Sequence, residues 1–202
     1  MMNQLEGGIP YFVDVWQGHF QAWASLDEAM WALLSADECH KADSFVSQRA
    51  RHRYILTRGI LRQTLARYLG VAAESLHFGV GEFGKPYLQH DPLHFNLSHS
   101  DDQLLLAVAN FDGIGIDLEA VKPRTHFNGL VERCFSRRES QYWQRLSSEQ
   151  QLETFFRLWT KKEAFVKAVG RGLALGLAQC EFAPEVAGQL LQIPDEYGKA
   201  SV

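Results

Sequence analysis

Asp117 and Glu119 stand two residues apart in Gly113-Ile114-Gly115-Ile116-Asp117-Leu118-Glu119, whose alternation reads as a short strand. Side chains at i and i+2 of a strand share a face. The two carboxylates therefore point one way, and Ile114, Ile116 and Leu118 the other. Like charges ~7 Å apart repel by roughly 2 kcal/mol at an effective dielectric near 20, a cost that a cation would remove. Further along, Trp159-Thr160-Lys161-Lys162-Glu163-Ala164-Phe165-Val166-Lys167 reads as helix, with Glu163 and Lys167 one turn apart on one face. Taken singly, the first pair could be a solvent-facing strand edge and the second a simple surface ion pair. If the two elements meet, three carboxylates and an ammonium converge, which is the chemistry of a divalent cation holding a polyphosphate.

Three other stretches carry polar groups in suggestive order. Phe95-Asn96-Leu97-Ser98-His99-Ser100 reads as a strand entering a polar turn. Adjacent Ser98 and His99 would face opposite ways and lack a nucleophile elbow, so a hydrolase dyad is excluded and anion binding by hydroxyl, imidazole and turn amides fits better. Gly84-Lys85-Pro86 could fix one phosphate contact, but no nucleotide P-loop is present. Ser136-Arg137-Arg138-Glu139 fits a capping box, which gives Glu139 a structural role beside any chemical one.

The elements that must position these groups follow from periodicity. Tyr11 to Trp16 alternates as a strand. Ser25-Leu26-Asp27-Glu28 and Ser35-Ala36-Asp37-Glu38 fit capping boxes that each open a helix. A long helix runs from about Ser47 to Leu69 and stops at Gly70. Leu93–Ser98 and the apolar Gln103–Ala109 are strands, and Asn110-Phe111-Asp112-Gly113 turns the second back into the Asp117 strand as an antiparallel pair. A helix opens at Ser136, and another spans about Glu149 to Val169, ending at Gly170 and Gly172. Gln179–Phe182 and Gln189–Ile193 form a hairpin. Neighbouring strands with helices in blocks argue an α+β fold. Two similar lobes are expected, residues 1–112 and 113–202, each an antiparallel sheet packed with helices, with the ligand site at their interface.

The 202 residues suffice for one domain or two small ones. A net charge of −4 and a pI near 6.1 argue against a nucleic-acid binder. Between Lys41 and Arg67 lie seven Lys or Arg residues and one acid, Asp43, either a solvated helix face or an anion-binding one. Cys39, Cys134 and Cys180 fit neither a disulfide framework nor a zinc spacing, and are expected to be reduced in a cytoplasmic protein. No apolar run approaches the ~20 residues needed to span a bilayer.

Taken in order, the Gly84, Phe95, Gly113 and Trp159 segments, with Phe135-Ser136-Arg137-Arg138-Glu139, resemble the 4′-phosphopantetheinyl transferases, in their monomeric two-lobed form that activates peptide and polyketide synthetases. The resemblance covers about Ser35 to Leu175. It implies transfer of the phosphopantetheine arm of coenzyme A to a serine of an apo carrier protein, with release of 3′,5′-adenosine bisphosphate. It also implies Mg2+ held by Asp117, Glu119 and Glu163, with Lys167 on the diphosphate beside Asp117. Ser98 and His99 match contacts to the coenzyme's 3′-phosphate. Arg49, Lys85 and Pro86 match its adenine-end contacts, and Glu139 matches a base for the incoming serine. The partner would be a small acidic carrier domain, docked near Arg137, Arg138, Lys161 and Lys162. Members of the family usually continue through further strands beyond the point where this sequence ends, so either this form is short or the chain is a fragment with a truncated second lobe. Two rival functions share part of the pattern: a module that binds coenzyme A or a nucleotide without turnover, and a magnesium-dependent phosphohydrolase.

Overall fold

The computed structural model describes residues 10–123, 127–171, 176–186 and 188–194. Strand β1 (Val13–His19) is followed by helices α1 (Asp27–Trp31), α2 (Ala36–Asp43) and α3 (Gln48–Leu69). A short hairpin, β2 (Phe78–Val80) and β3 (Pro86–Leu88), leads to β4 (His94–Ser100) and β5 (Gln103–Ala109). Beyond these come α4 (Phe127–Cys134), α5 (Arg137–Gln144), α6 (Ser148–Val169), β6 (Glu181–Phe182) and β7 (Leu190–Gln192). Every strand pairing among the described residues is antiparallel, in sheets ordered β1-β5-β4, β2-β3 and β6-β7. The fold is α+β.

Local signals set most of these ends. Ser35 and Glu38 complete a capping box on α2, as do Ser136 and Glu139 on α5. Ser47 caps α3 through the Ala50 amide, and Gly70 and Gly170 close α3 and α6 in the left-handed conformation that glycine adopts without steric cost. Ser25 does not open α1: the N-cap is Leu26, with no side-chain cap bond.

One face of the three-stranded sheet packs on α3, burying Leu61, Leu65, Phe95, Leu106 and Val108, and towards α1 Met30, Ile55, Leu56 and Leu104. A second core gathers Phe135, Trp143, Phe155, Phe156, Leu158, Val166 and Phe182 around α6. Between the two cores, Ile114 and Ile116 rest on Ala107 and Ala109 of β5.

The segment that joins the halves departs from the expected hairpin. Residues 113–123 are not a strand and do not pair with β5. β5 is the central strand, with both edges already taken by β1 and β4. The segment instead runs as extended chain beside β4 and in the same direction. Its amides at Ile116, Leu118 and Ala120 donate to the side chains of Asn96, Ser98 and Ser100 at 2.8, 3.2 and 2.9 Å. α6 lies close on its other side. A Cβ at Gly115 would run into the carbonyl of Ala164 and the amide of Ala168, so only glycine permits this approach.

Candidate active site

Three elements bring the acids together. β4 supplies Ser98 and His99, the crossing segment supplies Asp117 and Glu119, and α6 supplies Trp159, Glu163 and Lys167; all line one hollow of about 410 Å3. Lys167 Nζ donates to Asp117 Oδ1 at 2.7 Å, to Ser98 Oγ at 2.9 Å and to the Ile116 carbonyl at 3.2 Å. The Ser98 hydroxyl donates to Asp117 Oδ1 at 3.0 Å. The other Asp117 oxygen, Oδ2, is buried and has no hydrogen-bond partner. Burial, then the charges of Asp117 and Glu119, push the Glu163 carboxyl above its ordinary pKa, against an opposing pull from Lys167. A cleft with a surplus of negative charge and an unpartnered carboxylate oxygen fits a hard cation. Among the described residues no three such side chains enclose an ion by themselves. Magnesium is ordinarily held by one or two carboxylates, water and substrate phosphates, and needs no such cage.

The cleft continues towards α3. Arg49, Arg53 and Thr57 fall at i, i+4 and i+8 and line a hollow of about 520 Å3 with Ser47, Tyr54, His99 and Asp101. His99 is open to this hollow, yet its neighbours strip enough water to lower its pKa, and Arg53 and Lys167 add repulsion. Tyr54, Thr57 and His99 also border a hollow of about 440 Å3 that takes in Phe83, Lys85, Pro86, Glu163 and Lys167. The shared residues join the three spaces into one trough, with guanidinium groups at one end and carboxylates at the other. The Thr57 hydroxyl is buried in its wall without a partner.

Lys85 Nζ donates to the carbonyls of Ile114, 3.1 Å away, and Ala168, 3.0 Å away, and burial lowers its pKa. Glu139 lies outside the trough. Its side chain and that of Lys162 are both fully buried, 2.7 Å apart. Glu139 also accepts the amides of Ser136 and Phe182, while Lys162 donates to the carbonyls of Leu177 and Cys180. This pair anchors α5 and the approach to β6 onto α6.

Two family models divide the chain between them. One, described as 4′-phosphopantetheinyl transferase, N-terminal, matches residues 15–110, and one described as 4′-phosphopantetheinyl transferase superfamily matches residues 113–199. A 4′-phosphopantetheinyl transferase of Bacillus subtilis is 34% identical over 174 residues, 85% of this chain and 76% of its own. The chain belongs to the 4′-phosphopantetheinyl transferase superfamily. The transferase HetI of a Nostoc species is 42% identical over 147 residues, 71% of this chain. That match spans 62% of HetI, so less than two thirds of this relative is represented. Sfp of Bacillus subtilis is 30% identical over 175 residues, 85% of this chain and 76% of Sfp.

Within this superfamily member, the residues singled out from sequence meet different fates. Asp117, Glu119, Glu163, Lys167, Ser98 and His99 share one hollow. Lys85, Pro86 and His99 border the next, and Arg49 stands at the far end. Glu139 is not brought to the cleft: a carboxylate with no exposed atom cannot meet an incoming serine. Ser98 is in the cleft wall, but its hydroxyl is spent. It donates to Asp117 and accepts from Lys167 and Leu118, the full capacity of a hydroxyl. Arg53 was marked only as one of the basic run between Lys41 and Arg67, and Tyr54 and Thr57, which line the same hollow, were not singled out, although the helical spacing from Arg49 to Arg53 and Thr57 was present in the sequence. Of the residues expected to meet a carrier domain, Lys162 is buried, whereas Arg138 is exposed and pairs with Glu185. No helix among the described residues is long and apolar enough to cross a membrane.

Proposed function

We propose that the chain transfers the 4′-phosphopantetheine arm of coenzyme A to a serine of an apo carrier protein. The supporting observation is the meeting of Asp117, Glu119, Glu163 and Lys167 at one end of a trough whose other end holds Arg49 and Arg53. In the reaction the serine oxygen bonds to the phosphorus that bears the pantetheine arm. The bridging P–O bond breaks, and 3′,5′-adenosine bisphosphate leaves. Such a transfer asks for in-line placement and neutralised charge more than for covalent help from the protein, and the nucleophile belongs to the carrier.

The roles are assigned to match. Asp117, Glu119 and Glu163 are the residues that would hold Mg2+, which would supply Lewis-acid stabilisation of the diphosphate. Lys167, already against Asp117, neutralises the charge of the departing phosphate. Arg49 and Arg53, with His99, take the 3′-phosphate end; Lys85 and Pro86 border the space for the adenine. With Glu139 buried away from the trough, the serine proton passes to water in the open cleft. The lobes divide near residue 112 with a pseudo-two-fold relation and the ligand between them. The protein acts as a cytoplasmic monomer.

The experiment is to incubate the protein with coenzyme A, Mg2+ and a panel of apo carrier domains, and to weigh the carriers. A carrier heavier by one phosphopantetheine, absent when Mg2+ is chelated, is the expected result. Coenzyme A cleaved at an equal rate with no carrier present means a phosphohydrolase. Binding of coenzyme A with neither outcome means a module without turnover.

A further inference from the structure

We propose that Asn96, Ser98 and Ser100 form a positioning ladder: three side-chain acceptors on alternate residues of β4 that set the register of the segment carrying Asp117 and Glu119. The inference rests on the transferase reading for its link to the metal, and on geometry alone for the ladder.

The three bonds share one offset. Asn96 Oδ1 accepts the Ile116 amide, Ser98 Oγ the Leu118 amide and Ser100 Oγ the Ala120 amide, each twenty residues on. Alternate residues of a strand share a face, so the acceptors stand in a row with the repeat of an extended chain. Residues 113–123 have no strand partner of their own. Without the ladder their amides would lose their partners in a partly buried position, which is costly. Asn96 and Ser98 are 6% and 7% exposed, so water cannot readily substitute.

Register matters here because the acids lie between the anchored amides. Asp117 sits between the Ile116 and Leu118 bonds, and Glu119 between those of Leu118 and Ala120. A slip of one residue would turn both carboxylates off the cleft, and a slip of two would bring Glu119 to the place of Asp117. Ser98 is the central rung and the only one that also touches charged groups, through Asp117 Oδ1 and Lys167 Nζ. Asn96 and Ser100 touch neither acid. Their effect on the site is exerted through the backbone.

The test uses the full chain and two readouts. In metal-free protein, amide hydrogen exchange followed by NMR should find Ile116, Leu118 and Ala120 protected. Ser100→Ala should speed exchange at Ala120, and Asn96→Leu at Ile116, by roughly 5–10-fold, with amides in the middle of α3 unchanged. Ser100→Thr, which keeps a hydroxyl, should restore protection. With coenzyme A present, free-manganese electron paramagnetic resonance titrations should show metal affinity roughly 10-fold weaker in Ser100→Ala and Asn96→Leu, the scale on which supporting contacts act at metal sites, and recovered in Ser100→Thr. Affinity for 3′,5′-adenosine bisphosphate without metal, measured by calorimetry, should stay unchanged in Ser100→Ala. Unprotected amides in the wild-type chain, unaltered metal affinity in both variants, or equal loss of metal and bisphosphate binding would each overturn the proposal. Exchange and metal titration require no carrier, so a wild-type chain that binds metal through an intact ladder but transfers nothing would refute the transferase reading alone.

Discussion

At the residue scale the acids of the cleft oppose one another until a cation joins them. Glu163 takes up a proton more readily in the fold than at its ordinary value of 4.5, because of burial and then the Asp117 and Glu119 charges. A raised pKa contributes stability that is complete below the unfolded value and is lost as pH climbs through the folded one. The metal-free protein should therefore weaken as pH rises from about 4.5 towards neutrality. Glu163→Gln should remove transfer by more than about 100-fold, yet raise the unfolding midpoint of the metal-free protein near pH 7. Below pH 4.5 the two proteins should melt alike; equal midpoints across the whole range would show that Glu163 carries no strain. Its membership of the site was legible, because Trp159, Glu163 and Lys167 have helical spacing. For Glu139 the capping box pointed to the structural role that it has, while the base role came only from the resemblance; a capping box does not say whether its carboxylate is buried. Here it meets Lys162, 23 positions on, a distance that no local pattern encodes.

At the scale of elements, the caps and stops of α2, α3, α5 and α6 were legible because serine hydroxyls and left-handed glycines act on neighbours in sequence. The segment around Asp117 was not. Alternating Gly-Ile-Gly-Ile-Asp-Leu-Glu is strand-like, but strand pairing depends on which edges are free, and β1 had already closed the far edge of β5. The extended geometry survived, so the acids still point where a strand would have sent them. What fixes the segment against α6 is the absence of a side chain at Gly115. Gly115→Ala places a methyl where the α6 backbone lies, at Ala164 and Ala168. Either the helix or the segment must move, which for overpacking in a filled interior costs about 1–3 kcal/mol. Urea unfolding should report that loss, and transfer should fall by at least about 10-fold as Glu163 withdraws from Asp117. Gly113, with a positive φ and open space around its Cβ position, offers the contrast: Gly113→Ala should destabilise through backbone strain with a smaller effect on metal affinity.

At the scale of the molecule the question is what makes two separately packed cores behave as one site. Composition and charge bounded the class but said nothing of this, and Lys85 was legible only as a ligand contact. Its ammonium instead reaches from the β2–β3 hairpin to the carbonyls of Ile114 in the crossing segment and Ala168 in the last turn of α6. A cation at a helix C-terminus is favourably placed against the helix dipole, and here it ties the hairpin, the crossing segment and α6 together. Gly170, just past α6, lies against the Lys85 side chain, so the helix stop and the lysine fit one another. Lys85→Met retains much of the aliphatic stem and removes the bridge. Loss of two charge-assisted bonds should cost about 1.5–3 kcal/mol. Hydrogen exchange should then quicken at residues 166–170 and at 113–116, far from any adenine, while the centre of α3 is untouched. Were Lys85 purely a ligand contact, Lys85→Met would leave exchange in the free protein as it was and weaken only coenzyme A binding.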